Sequence, residues 1–239
     1  MTKGNDLDQS IADLFEAERR VRQLHDTISD APADRLLDSI ERAVTGAFGH
    51  KDAEESELRL ERLSILLGEI EGPRAVDLLI DILASPFPDA RNVAGEQLEG
   101  VAFERFKEVA KGVERALKRL PVGSPALPDL PYVLAEVPEP GVSKLLELFL
   151  KHDDPDAVAA AIEVSVEIGD PAIVKYLEPL KSDKRTVEMS DENDEAAEIT
   201  IGELVADALD IFEGADEDFD DAPAPKGGAA AGKGSPKKG

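Results

Sequence analysis

The segment VDLLIDILASPFPDA at residues 76–90 returns without a gap as SKLLELFLKHDDPDA at residues 143–157, with six of fifteen positions identical. Each copy carries an apolar run at helical spacing and then a break rich in Pro and Asp. A proline pushes the residue before it out of the α region, and Asp is favoured in turns and at helix starts. Each copy therefore reads as helix, short break, helix. A second joint repeats as well: LGEIEGPRAVDLL (67–79) aligns with SVEIGDPAIVKYL (165–177) at five of thirteen positions. The two offsets are 67 and 98 residues. They are close to two and three units of about 33 residues, the length of a helix-pair repeat. One such unit cannot bury its apolar stripe alone, so units must stack.

The remaining sequence supplies further helices. In residues 7–29, Leu7, Ile11, Leu14, Val21 and Ile28 fall near one face. In residues 33–48, Leu36, Leu37, Ile40, Ala43, Val44, Ala47 and Phe48 form a buried-type stripe. Residues 54–70 form a third helix that Gly72-Pro73 stops, and Pro73 opens a fourth, where its missing N–H costs little. In SPFPDARNVAGEQL (85–98), Asp89 is placed to cap a new helix. Ala90, Ala94 and Leu98 share that helix's inner face, and Arg91 points toward a neighbouring turn. Residues 103–120, FERFKEVAKGVERALKRL, read as an extra amphipathic helix with a stripe of Phe103, Phe106, Ala110, Val113, Leu117 and Leu120.

Two interruptions follow. Residues 121–140 hold six prolines in twenty positions and read as a linker. Residues 181–198 read as an acidic loop before a last helix over 201–212. From residue 214 the sequence is low in complexity and lacks the apolar content to offset ordering entropy, so a disordered tail is expected over 214–239. The expected fold is all-α: an α-solenoid of helix pairs over residues 7–213.

Composition narrows the function. Aromatics make up 4% and apolar residues 42%, with no Trp, so the core is Leu, Ile, Val and Ala, which suits helices. The net charge of −25 argues against nucleic-acid binding through phosphate neutralisation and favours a basic partner. Cysteine is absent, which removes disulfides, thiolate nucleophiles and thiolate metal sites. The N-terminus shows no signal peptide and no run is long enough to span a membrane. A cytoplasmic protein with no membrane or nucleic-acid partner is expected.

The segment LGEIEGPRAVDLLIDILASPFPDARNVAGEQLEGV resembles a HEAT-type repeat of the bacterial, bilin-lyase-like variety. The resemblance lies in a first helix, a Pro/Asp-rich turn, then Arg91, Ala94 and Leu98. It covers residues 67–102 and 141–180. In the second unit Val158 stands at the Arg position and Ser165 at the Leu position. The resemblance implies stacked helices with a concave binding surface. It does not imply bilin chemistry, because such repeats serve many functions.

Candidate chemical sites fare poorly. HDDPD (152–156) has one histidine and consecutive acids in a turn, and reads as solvated turn chemistry rather than a metal site. DENDEAAEITIG (191–202) starts like a calcium loop but has Ala196 and Gly202 where Gly and Glu are required, and DEDFDDAPAPKG (216–227) fails similarly. GGAAAGKG (227–234) nearly spells a phosphate loop but lacks the flanking strand and helix. No catalytic motif is present, and no cofactor is expected. One feature remains: Lys107, Lys111, Arg115 and Lys118 form a basic stripe at i, i+4, i+8 and i+11. It reads either as a solvated face or as a docking ridge for an acidic partner or the chain's own acids over 213–221. The expected function is a protein–protein interaction scaffold. The rivals are a lyase- or chaperone-like subunit acting on a prosthetic group, and a module closed by its own tail.

Overall fold

The structure, a computed structural model, describes residues 3–137, 139–190 and 196–220. They are almost wholly helical: α1 Lys3–Ser29, α2 Ala33–Phe48, α3 Ala53–Gly68, α4 Pro73–Leu83, α5 Pro88–Arg119, α6 Ala126–Ala135, α7 Val142–Leu150, α8 Pro155–Ile168, α9 Val174–Leu177 and α10 Ile201–Asp220. Short 3-10 turns, Pro171–Ile173 and Glu178–Leu180, flank α9. The strands β1 Thr186–Ser190 and β2 Ala196–Thr200 pair antiparallel, with Val187 opposite Ile199.

Local chemistry sets the helix ends. Asp52 caps α3, accepting from the N–H groups of Glu54 at 3.1 Å and Glu55 at 3.3 Å. Gly72, at φ 113°, turns the chain so that Pro73 begins α4; that φ lies outside the range of most L-residues. Pro88 and Pro155 likewise open α5 and α8.

Packing proceeds along the chain. α2 packs on α3 and α4, α3 on α5, α4 on α5 and α6, α5 on α6 and α7, α6 on α8, and α8 on α10. One contiguous core results, from Leu36 to Leu209. Leu60, Leu67, Leu79, Leu98, Leu127 and Phe149 are fully buried in it, each stabilising by about 1.5–3 kcal/mol through apolar burial. α4 and α5 pack closely at Gly112, where a Cβ would lie 2.4 Å from Val76 Cγ1.

Several expectations need correction. The apolar face of α1 is not buried: Leu7, Ile11, Leu14, Val21 and Ile28 are all exposed, because α1 is not packed lengthwise on any described element. Asp89 is not the cap of α5. The helix begins one residue earlier at Pro88, with Phe87 before it, since proline's fixed φ suits the first helical position. Asp89 sits in the first turn, and its N–H donates to Glu57 Oε1 at 2.9 Å.

Residues 103–120 fall within α5, where the non-helical Arg105, φ −137° and ψ 48°, divides the run into two helices, so the expected extra helix begins after Arg105 rather than at Phe103. Of the expected stripe, Val113 is buried and Phe106, Ala110, Leu117 and Leu120 pack against the core beside Val109 and Ala116, while Phe103 is 75% exposed. The linker over 121–140 contains α6, with Ala126, Leu127, Leu130 and Leu134 buried. Pro128 lies in its first turn, where no intrahelical N–H is needed. Pro131 forfeits one bond inside the helix, and its burial with these neighbours offsets the loss. The loop over 181–198 is largely the β1–β2 hairpin, whose Val187 is buried; residues 191–195 lie outside the described residues. α10 runs to Asp220, beyond the expected boundary at 213. The rest of the expected tail, 221–239, lies outside the described residues.

Candidate functional site

Two adjoining depressions share Tyr132 of α6. The first, about 430 Å³, lies between α5 and α6 and is lined by Leu83, Arg91, Gly95, Glu96, Glu99 and Asp129. The second, about 400 Å³, lies among α6, α8, β1 and α10. Its floor is apolar: Ala159, Ile162 and Val166 of α8, Val187 of β1, and Leu204 and Ile211 of α10. Its rim is acidic: Asp156, Glu163, Glu188 and Asp207.

Helix periodicity builds this arrangement. Along α8, Ala159, Ile162 and Val166 recur at i, i+3 and i+7, which places them on one face. Asp156 and Glu163 flank that row. Tyr132 bridges the two depressions, and its hydroxyl donates to Glu163 Oε2 at 2.7 Å. Burial, then the Glu163 carboxylate, pushes the Tyr132 phenol well above its usual range. Partial desolvation by its neighbours raises the Asp156 carboxyl, although the residue is exposed, with the charges of Asp154 and Glu188 adding to it. Glu99 is raised by burial and then by Glu136 and Glu96. The exposed carboxylates of Asp156, Glu163, Glu188 and Asp207 make the rim negative, which suits a cationic ligand.

Of the residues singled out in the sequence, Ala94 and Leu98 are fully buried. Arg91 lies on the first depression, its Nη2 donating to Asp129 Oδ2 at 2.7 Å, and so ties α5 to α6. The basic stripe is divided. Lys107, Lys111 and Lys118 are exposed, but Arg115 is partly buried. Its Nε and Nη2 donate to Asp77 at 2.9–3.1 Å, and Nη2 also reaches Pro73 O at 3.3 Å. Four matched cations on one face are thus three lysines and a structural clamp between α4 and α5.

In the HDDPD turn Asp153 and Asp156 are exposed, but Asp154 departs from the solvated turn expected. Asp154 is 1% exposed, because its carboxylate is consumed by backbone N–H groups. His152 Nε2 lies 3.2 Å from Leu117 O, and Nδ1 accepts from the Asp154 N–H at 3.1 Å. His25 Nε2 bonds Glu69 Oε1 at 2.7 Å. No group of three or more metal-type ligands gathers among the described residues. The phosphate-loop-like run at 227–234 lies outside them. The sequence reading missed the groove itself. Its only trace was the excess of acid, which carries no position.

The fold and groove together define an all-α protein with an apolar trough bordered by carboxylates. No protein-family model matches the chain, and no curated protein matches it. A solved crystal structure of an engineered protein is 18% identical over 81% of this chain and 89% of that one, with a TM-score of 0.34. That likeness carries no argument. Among the described residues no helix is long and apolar enough to cross a membrane.

Proposed function

We propose that this chain is a protein–protein interaction module: a solenoid of HEAT-like helix pairs that receives a basic, amphipathic segment of a partner protein. The carrying observation is the groove of α6, α8 and α10, with an apolar floor and the carboxylates of Asp156, Glu163, Glu188 and Asp207 around it. An amphipathic helix would lay its apolar side on such a floor and set Lys or Arg against the rim. Supporting the solenoid reading, α3, α5, α6, α8 and α10 pack in succession, as stacked repeat helices would. The repeated segments also fall on matching elements, α4 and α7, each followed by a helix that starts at proline.

The charge of residues 222–239 favours a second reading. They hold Lys226, Lys233, Lys237 and Lys238 and no acid, so in this reading the chain's own basic end occupies the groove.

Fluorescence anisotropy with a labelled Leu/Lys amphipathic peptide and the full chain tests both. The expected result is saturable binding that weakens with salt. It should be lost in the Asp156→Lys, Glu163→Lys double variant. Competition by a synthetic 222–239 peptide would favour the second reading. Binding insensitive to the double variant would remove the groove from the proposal.

A further inference from the structure

The apolar face of α1 has a stricter period than a globular helix needs. Leu7, Leu14, Val21 and Ile28 are spaced by seven, and Ile11 and His25 fall on the intervening seam positions, as does Glu18. A sustained seven-residue period is that of a two-stranded coiled coil. The face is open: Leu7 is 63% exposed, Leu14 57% and Val21 40%. The helix meets the rest of the fold at its end, where His25 and Ser29 bond Glu69 at 2.7 and 2.9 Å.

Charge names the occupant. Between residues 4 and 18 lie Asp6, Asp8, Asp13, Glu16 and Glu18 and no base. Residues 19–22 hold Arg19, Arg20 and Arg22. A second copy laid parallel would set acid on acid and base on base. Laid antiparallel, the acidic stretch of each copy meets the arginines of the other, with Asp26 the one acid of α1 beyond them. Antiparallel seam pairing that joins Ile11 to the partner's Val21, and Leu7 to the partner's His25, sets Phe15 near the two-fold axis. The flanking Asp8 then faces the partner's Arg22, twice by symmetry. Glu18 meets the partner's Leu14 and His25 the partner's Leu7. Polar seam positions such as these cost stability and specify register.

We infer that α1 pairs with α1 of a second copy of this chain as an antiparallel coiled coil, making the protein a homodimer. The contact is isologous, as a two-fold axis requires, and leaves the α6–α8–α10 groove of each copy open. It does not depend on the function proposed for that groove.

Sedimentation equilibrium of the full 25.7 kDa chain should give twice the chain mass. Leu14→Asp should weaken association about tenfold or more, the equivalent of about 1.4 kcal/mol. Because that change also bears on whether α1 stays helical, a second measurement uses flanking positions. The chain has no cysteine, so Asp8→Cys and Arg22→Cys chains can be mixed and oxidised. Antiparallel pairing gives the mixed disulfide. In a parallel pair the two sites lie 14 residues apart, about 21 Å along the axis, beyond the roughly 7 Å Cα limit for a disulfide. A chain-mass species at all concentrations overturns the inference. So does a dimer that survives Leu14→Asp unchanged, or one that forms no mixed disulfide.

Discussion

Asp154 accepts a hydrogen bond from the Gly123 N–H at 2.6 Å, across 31 positions of sequence. Its other oxygen accepts from the Ala157 N–H at 2.9 Å. One buried carboxylate therefore caps α8 and pins the turn between α5 and α6. Asp154→Ala leaves both donors without partners, and should cost about 2–3 kcal/mol in urea denaturation. A cost under about 0.5 kcal/mol, within the noise of an ordinary surface change, would show that the joint is not under load.

Leu83 is 2% exposed and stands with Leu79, Ala94 and Leu98 at the α4–α5 contact. Leu83→Ala should destabilise by about 2–5 kcal/mol, the sum of lost transfer energy and a cavity. At Gly112 the opposite error applies. Gly112→Ala sets a methyl against Val76, and overpacking of about 1–3 kcal/mol should outweigh the helix propensity gained. A raised Tm for Gly112→Ala would show that α4 and α5 separate readily.

The former basic stripe should split by role. Arg115→Glu faces Asp77 with a like charge and strands Pro73 O, so a loss of about 1–3 kcal/mol is expected. Lys107→Glu, Lys111→Glu and Lys118→Glu, on exposed positions, should each stay within about 0.5 kcal/mol. Equal effects at all four would contradict the clamp.

The acids divide in their pH response. Asp156, although exposed, is raised by partial desolvation first and by Asp154 and Glu188 next. Its folded pKa exceeds its unfolded one, so its ionisation opposes folding above that range, and stability is regained as pH falls through the folded value. Asp156→Asn should therefore raise the Tm at neutral pH and have less effect in acid. Asp170 is held low by the Ser143 hydroxyl and then the Ala172 N–H, and Asp183 by the Arg185 guanidinium. Their stabilisation is present above the unfolded carboxylate range and is lost as pH falls through their lowered values. Thermal melts of Asp156→Asn and Asp183→Asn across pH should diverge in sign. Parallel curves would remove desolvation as the cause at Asp156.

Much of the secondary structure was legible because its causes are local. Pro73 at the start of α4, the Leu36, Leu37, Ile40, Val44 and Ala47 face of α2, and the repeated joint all arise from residues within a turn or two of each other, while Ala43 and Phe48 of the expected α2 stripe are exposed. Prolines misled where burial overrode them. Pro131 sits inside α6 because its neighbours Leu127, Leu130 and Leu134 are buried. The hairpin was read as a loop because its strands are short and its turn is acidic. One buried Val187 anchors it.

The sequence by itself determined that this chain is built almost wholly of helices, that it is strongly acidic, and that α1 carries a seven-residue apolar period. The 3.6-residue geometry and the chemistry of Pro, Gly and Asp act over a few residues and need no tertiary information. Only the tertiary structure decided which charges meet. Arg115 is claimed by Asp77, 38 positions away, and Arg91 by Asp129, also 38 away. Asp156, Glu163, Glu188 and Asp207 converge on one trough because α8, β1 and α10 pack together. Their convergence depends on how helices stack, a property of the buried faces that the exposed carboxylates do not themselves encode.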